Sequence, residues 1–310
     1  MKVVTMGEAI VEIMRDRTDS PLSEPGYFRG PFPSGAPAIF IDAVARLGIP
    51  AAMISGVGDD DFGEVLRKRL AEDGVDTDKI LVDKNISTGC AFVSYDSSGD
   101  RKFIFHIGNT PAVKAPVPEE EFLEDTGYFH IMGCSVMADR DFGERIIKTM
   151  ELASQKGARI SFDSNIRPEL MKDPDVYSRI EKITEHTDLF MPGKSELLQF
   201  SGKETVAEAV SYYFDRYEKM DMIVVKDGSN GATCYTRDNS WSHGIYRVDA
   251  VDPTGAGDTF DGAFISCLLL GKGIEEALET ASAAAAINTA NFGPMEGRIT
   301  WEKIRKMTGR

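Results

Sequence analysis

The stretch Val251-Asp-Pro-Thr-Gly-Ala-Gly-Asp-Thr-Phe-Asp-Gly-Ala-Phe264 places a proline and two glycines directly before a long apolar segment. Gly255 and Gly257 permit a tight turn and the close approach of a ligand to the backbone. The apolar residues that begin near Ala256 predict a helix. Successive N–H groups in front of that helix can converge on one point, where the free amides and the helix dipole favour an anion. The stretch therefore predicts an anion site, and a transferring phosphoryl group is its expected occupant.

Asp258 lies inside this turn and fits two roles. A carboxylate is a poor addition to a site that only holds phosphate, but in phosphoryl transfer one carboxylate accepts the proton of the attacking hydroxyl. Acidic residues are also favoured at helix starts, so Asp258 equally fits a helix cap. The segment alone leaves both roles open.

Outside this stretch, short apolar segments alternate with longer segments of helical spacing. Strands are predicted over residues 3–6, 51–54, 128–132, 159–162, 188–191 and 222–225. Helices are predicted over residues 62–73, 142–156, 176–186 and 206–217. The alternation predicts an α/β fold with a Rossmann-like, mainly parallel sheet and helices on both faces. Such sheets bind ligands beyond the carboxyl ends of their strands.

Two stretches with period-two character, 9–14 and 88–106, break the alternation. The second contains a hairpin signal, with residues 96–100 as the turn. We expect a small β-sheet lid, built from about 9–32 and 88–110 and inserted into the α/β core. A flap over the ligand edge and a hairpin packed on the side are both consistent with the pattern. No repeat or linker divides the chain, so residues 1–310 are expected to form a single domain.

Composition limits the partners of the protein. The 310 residues are 42% hydrophobic and 27% charged, as in soluble globular chains, and the net charge is −15. This charge repels nucleic acid and anionic lipid surfaces, so we expect neither nucleic acid nor membrane as a partner. The four cysteines form no CxxC pair, and the N-terminus enters a strand-like segment directly, which favours a cytoplasmic protein.

Two common phosphate-binding fingerprints do not occur in the sequence. There is no GxxxxGK[ST], and residues 56–63 lack the spacing of GxGxxG. Neither a Walker-type enzyme nor a dinucleotide oxidoreductase is supported.

The residues do match another pattern over nearly the whole chain. Residues 252–260 resemble the D-T-x-G-A-G-D signature of the PfkB/ribokinase family of carbohydrate kinases. Residues 34–39, 56–63 and 225–231 resemble its sugar-side, G-x-D-x-x-G and nucleotide-side glycine segments. Residues 162–168 resemble the D-x-N-x-R stretch of its fructokinase and 2-keto-3-deoxygluconate kinase branch. The run at 30–41 is most similar to kinases of the tagatose type.

The resemblance implies an ATP-dependent kinase with a ribokinase-like fold, a β lid that often forms a homodimer contact, and Mg²⁺ bound with ATP. The implied catalytic residues are Asp258 as the base, with the backbone of Gly255, Ala256 and Gly257 as the anion hole. The residues implied on the ATP side are Lys226, Gly228, Gly231, Ser282 and, for Mg²⁺ and water, Glu196. The residues implied on the sugar side are Gly35, Ala36 and Arg167. Asp252 and Thr254 match positions that surround a monovalent cation such as K⁺ in some members.

Each implied role has an ordinary alternative. Arg167 also fits an ion pair with Glu169 or Asp163. Lys226 fits a solvated strand end, Glu196 a favourable helix start, and Gly35 a plain turn.

Departures from the family pattern bear on the substrate. Ile39 stands where an asparagine is common, so that sugar contact is lost or supplied elsewhere. The asparagine of N-x-x-E is replaced by Gly193. His106 stands where the sugar-acid kinases have an arginine on the lid strand, and it fits either a sugar-hydroxyl contact or a lid-surface position. Imidazole is a weak carboxylate clamp, which favours a neutral ketohexose such as tagatose or fructose. A sugar-acid kinase, a nucleoside kinase and a non-catalytic sugar sensor are the alternatives.

Overall fold

The computed structural model describes residues 1–97, 101–171 and 173–310. The strands of these residues are β1 (Lys2–Met6), β2 (Ile10–Arg15), β3 (Phe28–Ser34), β4 (Ala51–Gly58), β5 (Val75–Asp76), β6 (Ile80–Asp83), β7 (Cys90–Tyr95), β8 (Arg101–His106), β9 (Thr126–Met132), β10 (Arg159–Asp163), β11 (Leu189–Phe190), β12 (Met222–Lys226), β13 (Ala232–Tyr235) and β14 (Ser240–His243).

The α-helices of the same residues are α1 (Ala36–Arg46), α2 (Asp61–Glu72), α3 (Gly133–Ala138), α4 (Arg140–Gln155), α5 (Val176–His186), α6 (Lys194–Ser201), α7 (Val206–Arg216), α8 (Ala256–Leu269), α9 (Ile274–Thr289) and α10 (Trp301–Thr308). The predicted helices agree with α2, α4, α5 and α7 to within a residue or two, and the helix predicted near Ala256 is α8.

The large sheet has the strand order β14-β13-β12-β11-β10-β9-β1-β4-β5, with β6 paired to β4. Its strands are parallel from β12 to β5, and the hairpin β13–β14 joins antiparallel at one edge. Strand β1 lies between β4 and β9, so the chain leaves β1 first toward one edge and later toward the other. The predicted mainly parallel sheet is confirmed.

Apolar strands cause this arrangement, because a parallel sheet covered on both faces needs apolar residues on both faces of each strand. Every residue of β4 and β9 is buried. One buried cluster joins the sheet to α1, α8, α9 and α10, and a second joins the opposite face to α4, α5 and α7. Helices therefore cover both faces, as predicted.

A separate four-stranded sheet has the order β3-β2-β7-β8. Strand β2 pairs antiparallel with β3 and parallel with β7, and β7 pairs antiparallel with β8. We call this the small sheet, and it agrees with the sheet predicted from 9–32 and 88–110. Of the predicted hairpin turn at 96–100, residues 98–100 lie outside the described residues.

The sequence did not predict α1 or the hairpin β13–β14. All residues from Ala36 to Val44 in α1 are buried, so this part of the helix has no solvent-exposed polar face. Within the described ranges, no helix has both the length and the apolar character that crossing a bilayer requires.

Candidate active site

A cleft lies between the carboxyl edge of the large sheet and the small sheet. Its floor is formed by residues in the segments that follow parallel strands: Glu8 after β1, Cys134 after β9 and Arg167 after β10. The carboxyl ends of parallel strands, near a point where the strand order reverses, are the usual ligand position in such folds. The remaining lining residues are Ile10, Glu12, Gly35, Ala36, Ile39, Arg101, Phe103, Phe105, Ile107, Leu170, Thr254, Gly255 and Asp258.

The glycine turn before α8 forms one end of this cleft. Gly255 is the residue before the first helical position and has φ 77°, a left-handed conformation that favours glycine. A Cβ at this position would lie 2.5 Å from the carbonyl oxygen of Pro294 and 3.1 Å from Ile39 Cγ2. Ile39, which departs from the family pattern, therefore packs against the turn and leaves no room for a side chain at 255.

The amides of this turn lie at the start of α8, which is where the sequence predicts a helix start, and one of them already has a carbonyl partner. The first N–H groups of an α-helix have no carbonyl one turn earlier to bind. Gly255, Ala256 and Gly257 occupy these positions at the start of α8, and Ala256 N donates a 3.3 Å hydrogen bond to the carbonyl of Pro253. The helix start thus presents amides and the positive end of its dipole to the cleft.

Asp258 is the third residue of α8 and lines the cleft, with 6% of its surface exposed. Its Oδ1 accepts a 3.0 Å hydrogen bond from Asn165 Nδ2. Burial, with a further contribution from the charge of Asp163, raises the pKa of Asp258 to about 6. A carboxylate with that pKa is ionised at neutral pH and accepts a proton more readily than an exposed aspartate.

Asn165 is a site residue that the sequence reading missed, although the stretch containing it was identified. It lies in the loop after β10 and has φ 36°, which asparagine tolerates better than most residues. Its backbone N donates to Asp163 Oδ1 at 3.1 Å, and this local turn aims its amide at Asp258. No motif spacing could reveal this contact, since 93 positions separate the two residues.

Lys226 ends β12 and forms a buried ion-paired triad. Its Nζ lies 2.8 Å from Asp163 Oδ2 and 2.7 Å from Asp261 Oδ2. The two carboxylates raise the pKa of Lys226 despite its burial, and the lysine charge lowers the pKa of Asp163 despite its burial. Burial raises the pKa of Asp261 well above its usual range. Lys226 is therefore not a solvated strand end, because only 16% of its side chain is exposed.

Glu196 binds the loop after β10 and the start of α6. Its Oε1 accepts from Ile166 N at 2.7 Å, and its Oε2 accepts from Ser164 Oγ at 2.8 Å and from Gly193 N at 3.0 Å. These contacts agree with the alternative that Glu196 serves the helix start, and they also fix the loop that carries Asn165 and Arg167.

Arg167 enters the cleft with its charge uncompensated by a salt bridge. Its Nη1 donates to the carbonyl of Ile166 at 2.9 Å, and within the described ranges no ion pair joins it to Glu169 or Asp163. Arg101, at the start of β8, also lines the cleft and was missed by the sequence reading. Two guanidinium groups therefore line the cleft, Arg167 from the large-sheet side and Arg101 from the small sheet.

His106 does not line the cleft. Side chains alternate between the two faces of a strand, and Arg101, Phe103 and Phe105 of β8 face the cleft. His106 has the opposite parity, is exposed, and lies edge-on to Phe92 with ring centroids 6.2 Å apart. The structure thus favours the lid-surface alternative over the predicted sugar contact.

Two acidic residues of the N-terminal segment, Glu8 and Glu12, also line the cleft and were missed. Glu8 Oε2 accepts from Ser135 Oγ at 2.5 Å, and Glu12 Oε1 accepts from Ser34 Oγ at 2.6 Å. Burial raises the pKa of Glu12 to about 7. Gly35, with φ 101°, lies against Glu8, because a Cβ there would be 2.4 Å from the Glu8 carbonyl oxygen.

Comparison with known proteins identifies the family. Residues 2–301 match the pattern of the pfkB family carbohydrate kinases. The chain belongs to the PfkB family of carbohydrate kinases. This PfkB kinase is 30% identical to fructokinase-1 of Oryza sativa subsp. japonica, with 98% of this chain and 97% of the relative covered. It is also 30% identical to fructokinase-1 of Zea mays, with 98% and 97% covered.

A solved structure has the same fold over the full length of this PfkB kinase. It is an E. coli protein provisionally named ribokinase II, in complex with ATP and Mg²⁺. The two chains are 40% identical with a TM-score of 0.93, covering 100% of this chain and 99% of that one. The ribokinase-like fold and the assignment as a sugar kinase are confirmed.

The predicted site residues of this kinase fall into two groups. Gly35, Ala36, Arg167, Thr254, Gly255 and Asp258 line the cleft together. The remaining predicted residues are outside its lining. Ala256 and Gly257 begin α8, Glu196 lies in α6, and His106 lies on the other face of β8. Gly228 and Gly231 flank a turn after β12, Ser282 is buried midway along α9, and Asp252 is buried before the glycine turn. Lys226 connects the groups, since its Nζ would lie 3.8 Å from a Cβ at Gly257. No cluster of three or more His, Cys, Asp or Glu suited to a metal occurs in the described part of the chain.

Proposed function

We propose that this PfkB kinase transfers the γ-phosphate of ATP to a hydroxyl of a ketohexose of the fructose or tagatose type. One observation carries the proposal: Asp258 lies at the amide-lined start of α8 and faces the cleft that the small sheet covers. A base and an anion-binding turn are thereby adjacent, and phosphoryl transfer to an alcohol requires both.

In the proposed reaction, the oxygen of the sugar hydroxyl bonds to the γ-phosphorus, and Asp258 accepts the proton of that hydroxyl. The bond from phosphorus to the bridging oxygen of ADP breaks, and ADP leaves with that electron pair. The amides of Gly255, Ala256 and Gly257 stabilise charge on the phosphoryl oxygens. Small-sheet residues such as Phe103 and Phe105 exclude water that would otherwise hydrolyse ATP.

The acidic lining supports a polyhydroxylated substrate. The carboxyl groups of Glu8 and Glu12 can exchange hydrogen bonds with sugar hydroxyls in either protonation state, and both are nearly fully buried in the cleft wall. The rice and maize relatives that are 30% identical over 98% of this chain are named fructokinases. These two observations favour a ketohexose among the sugars.

The nucleotide is proposed to lie on the other side of the glycine turn, near Lys226, Gly228, Gly231 and Ser282. The related E. coli structure holds ATP and Mg²⁺. Mg²⁺ would arrive bound to the ATP phosphates, where it neutralises their charge. The oxygens of Glu196 already accept three hydrogen bonds, so its proposed part is to hold the loop beside the site.

A sugar acid is the second candidate substrate. Arg101 and Arg167 both line the cleft, and a carboxylate is the group that a guanidinium pair binds best. The sequence argument against an acid substrate rested on His106, whereas the cationic group of strand β8 in the cleft is Arg101.

An ADP-release assay with Mg-ATP tests the proposal. Fructose and tagatose are compared with 2-keto-3-deoxygluconate, an aldopentose and a nucleoside. We expect the highest kcat/KM with a ketohexose, and Asp258→Asn should lower that value by about 10²–10⁴-fold while ATP still binds. Preference for 2-keto-3-deoxygluconate would support the second candidate. A flat response to all substrates would support a sugar sensor and overturn the proposal.

We also propose that the chain forms a homodimer through the outer face of the small sheet. Phe28 and Ile104 on this sheet are 40% and 44% exposed. Light scattering on Ile104→Glu tests this proposal, with Leu81→Glu as the control because Leu81 is 39% exposed on the large sheet. A dimer lost only in Ile104→Glu supports the interface, and a monomeric wild-type protein contradicts it.

A further inference from the structure

Asp252 is the centre of a buried hydrogen-bond network before the glycine turn. Its Oδ1 accepts from Thr254 N at 2.9 Å and from the hydroxyl of Tyr95 at 2.5 Å. Its Oδ2 accepts from Gly293 N at 2.9 Å. Only 1% of Asp252 is exposed. Protein donors therefore occupy both oxygens of this carboxylate.

The oxygens of Thr254 are occupied in the same way. Its carbonyl accepts a 2.8 Å hydrogen bond from Asn288 Nδ2, and its hydroxyl is in contact with the hydroxyl of Tyr95. Thr254 and Asn288 are 4% and 2% exposed. Three segments distant in sequence, namely strand β7, helix α9 and the loop that contains Gly293, thus converge on residues 252–254.

These residues do not fit a monovalent cation. A bound K⁺ is held by oxygen atoms that replace its hydration shell, so their lone pairs must be free. Both in-plane lone pairs of Asp252 Oδ1 have donors, and one of the two lone pairs on Asp252 Oδ2 and on the Thr254 carbonyl is also taken. The hydrogens of Tyr95 and Asn288 point at oxygens that the family resemblance assigns to a cation, and a cation there would be repelled by them.

We propose that Tyr95 is a positioning residue that, together with Asn288, takes the place of a monovalent cation in this kinase. The two side chains hold residues 252–254, which lead directly into the phosphate-binding turn at 255–258. Turnover then has no requirement for K⁺. The inference rests on the proposed role of that turn in phosphoryl transfer.

Tyr95 also connects the turn to the small sheet. It is the last residue of β7, the strand between β2 and β8. Burial raises the pKa of its hydroxyl, so Tyr95 is a neutral hydrogen-bond donor at neutral pH. Since Tyr95 belongs to the small sheet and Thr254 lines the cleft, the turn has its full set of contacts only when the small sheet covers the cleft.

The first experiment needs no sugar substrate. The melting temperature of the wild-type protein is measured with increasing KCl and, separately, with tetramethylammonium chloride at equal ionic strength. If the protein has a K⁺ site, a K⁺ concentration of about one hundred times the Kd would raise the Tm by roughly 4 °C. We expect the two series to coincide within about 1 °C. A rise specific to K⁺ would overturn the proposal.

The second experiment compares Tyr95→Phe with Tyr177→Phe, which removes a hydroxyl from an exposed tyrosine on α5. Removing a buried hydrogen bond to a charged group costs about a factor of ten or more. We expect kcat of Tyr95→Phe to fall by about tenfold with an unchanged KM for ATP, and K⁺ to restore part of it. Tyr177→Phe should match the wild type, which should respond equally to K⁺ and tetramethylammonium.

The outcomes are separable from those of the proposed function. An unchanged kcat in Tyr95→Phe, or strong activation of the wild type by K⁺, overturns the inference. If no sugar is phosphorylated, the proposed function fails, whereas the Tm series still decides whether a cation binds. If Tyr95→Phe does not fold, the wild-type Tm series and the wild-type response to K⁺ remain decisive.

Discussion

Asn165 Nδ2 lies 3.0 Å from Asp258 Oδ1, which joins the loop after β10 to the first turn of α8. A hydrogen bond donated to a carboxylate stabilises its charged form, whereas burial opposes that form. For Asp258, burial is the larger effect, and its pKa is about 6. Burial and the charge of Asp163 raise the pKa, and the charges of Arg167, Lys226 and Arg101 lower it. The donor from Asn165 acts in the same direction as these cations, because it stabilises the ionised carboxylate.

The first prediction concerns the pH dependence of the reaction. A general base must be unprotonated to act, and Asp258 becomes protonated as the pH falls through about 6. We expect kcat/KM for the sugar to be constant near neutral pH and to fall about tenfold per pH unit below about pH 6. A steady-state pH profile measures this limb. A profile that stays flat down to the unperturbed pKa of aspartate would exclude Asp258 as the base.

The second prediction concerns stability. Because the pKa of Asp258 is raised from 3.8 to about 6 on folding, the folded protein binds more protons than the unfolded chain between these values, and stability falls as the pH rises through this interval. Asp258→Asn removes this penalty, and its amide oxygen can still accept from Asn165. We expect the variant to be more stable than the wild type by about 2–3 kcal/mol above pH 6.

Urea denaturation at several pH values tests this difference. The extra stability of Asp258→Asn should shrink as the pH falls and vanish below the pKa of aspartate in the unfolded chain, where the wild-type aspartate and the variant asparagine are both neutral. Asp238→Asn, at an exposed position, is the control and should change stability by less than about 0.5 kcal/mol at every pH. An equal gain at all pH values would point to packing instead of charge.

The third prediction uses Asn165→Gly. Glycine adopts the positive φ of this position without strain, so the substitution removes the amide and leaves the loop conformation accessible. Without the donor, the pKa of Asp258 should rise further, and the acid limb of kcat/KM should move to higher pH by about 0.5–1 unit. An unmoved acid limb with lower kcat would mean that Asn165 acts only through loop structure.

The sequence could predict the features that depend on local pattern. Alternating apolar segments predicted the parallel strands and four of their helices, and the glycine turn predicted the start of α8. The contact of Asn165 with Asp258 and the pairing of Lys226 with Asp163 could not be predicted, because they depend on how distant segments are brought together.

The orientation of β8 shows a second feature that the sequence could not predict. The period of two predicts that alternate residues of β8 share a face, but it does not predict which set faces the cleft. An assignment that is wrong by one position therefore puts His106 in the cleft instead of Phe105. Helix α1 escaped prediction because its residues from Ala36 to Val44 are all buried and have no solvent-exposed polar face.

The fourth prediction concerns the triad around Lys226. Lys226→Met would leave the carboxylates of Asp163 and Asp261 buried without a cation, and breaking a buried pair in this way costs about 3–5 kcal/mol. Lys194→Met is the matched control, since its ion pair with Asp227 is exposed and worth less than about 1 kcal/mol. Chemical denaturation measures both. Equal small losses in the two variants would contradict a buried, strongly coupled triad.

The fifth prediction separates the two faces of β8. Arg101 lines the cleft, and His106 lies on the opposite face of the same strand. We expect Arg101→Gln to raise the KM for the preferred sugar by about tenfold, since a charge-assisted hydrogen bond to substrate is lost, with the KM for ATP nearly unchanged. His106→Ala should leave both values within about twofold of wild type, because no contact to substrate is removed.

Sugar acids sharpen this comparison, because a carboxylate depends on a guanidinium more than a hydroxyl does. If Arg101→Gln weakens 2-keto-3-deoxygluconate far more than fructose, Arg101 faces the end of the substrate at which the two sugars differ. If His106→Ala raises the sugar KM and Arg101→Gln does not, the facing of β8 is reversed in the working enzyme, and the sugar contact belongs to the face that carries His106.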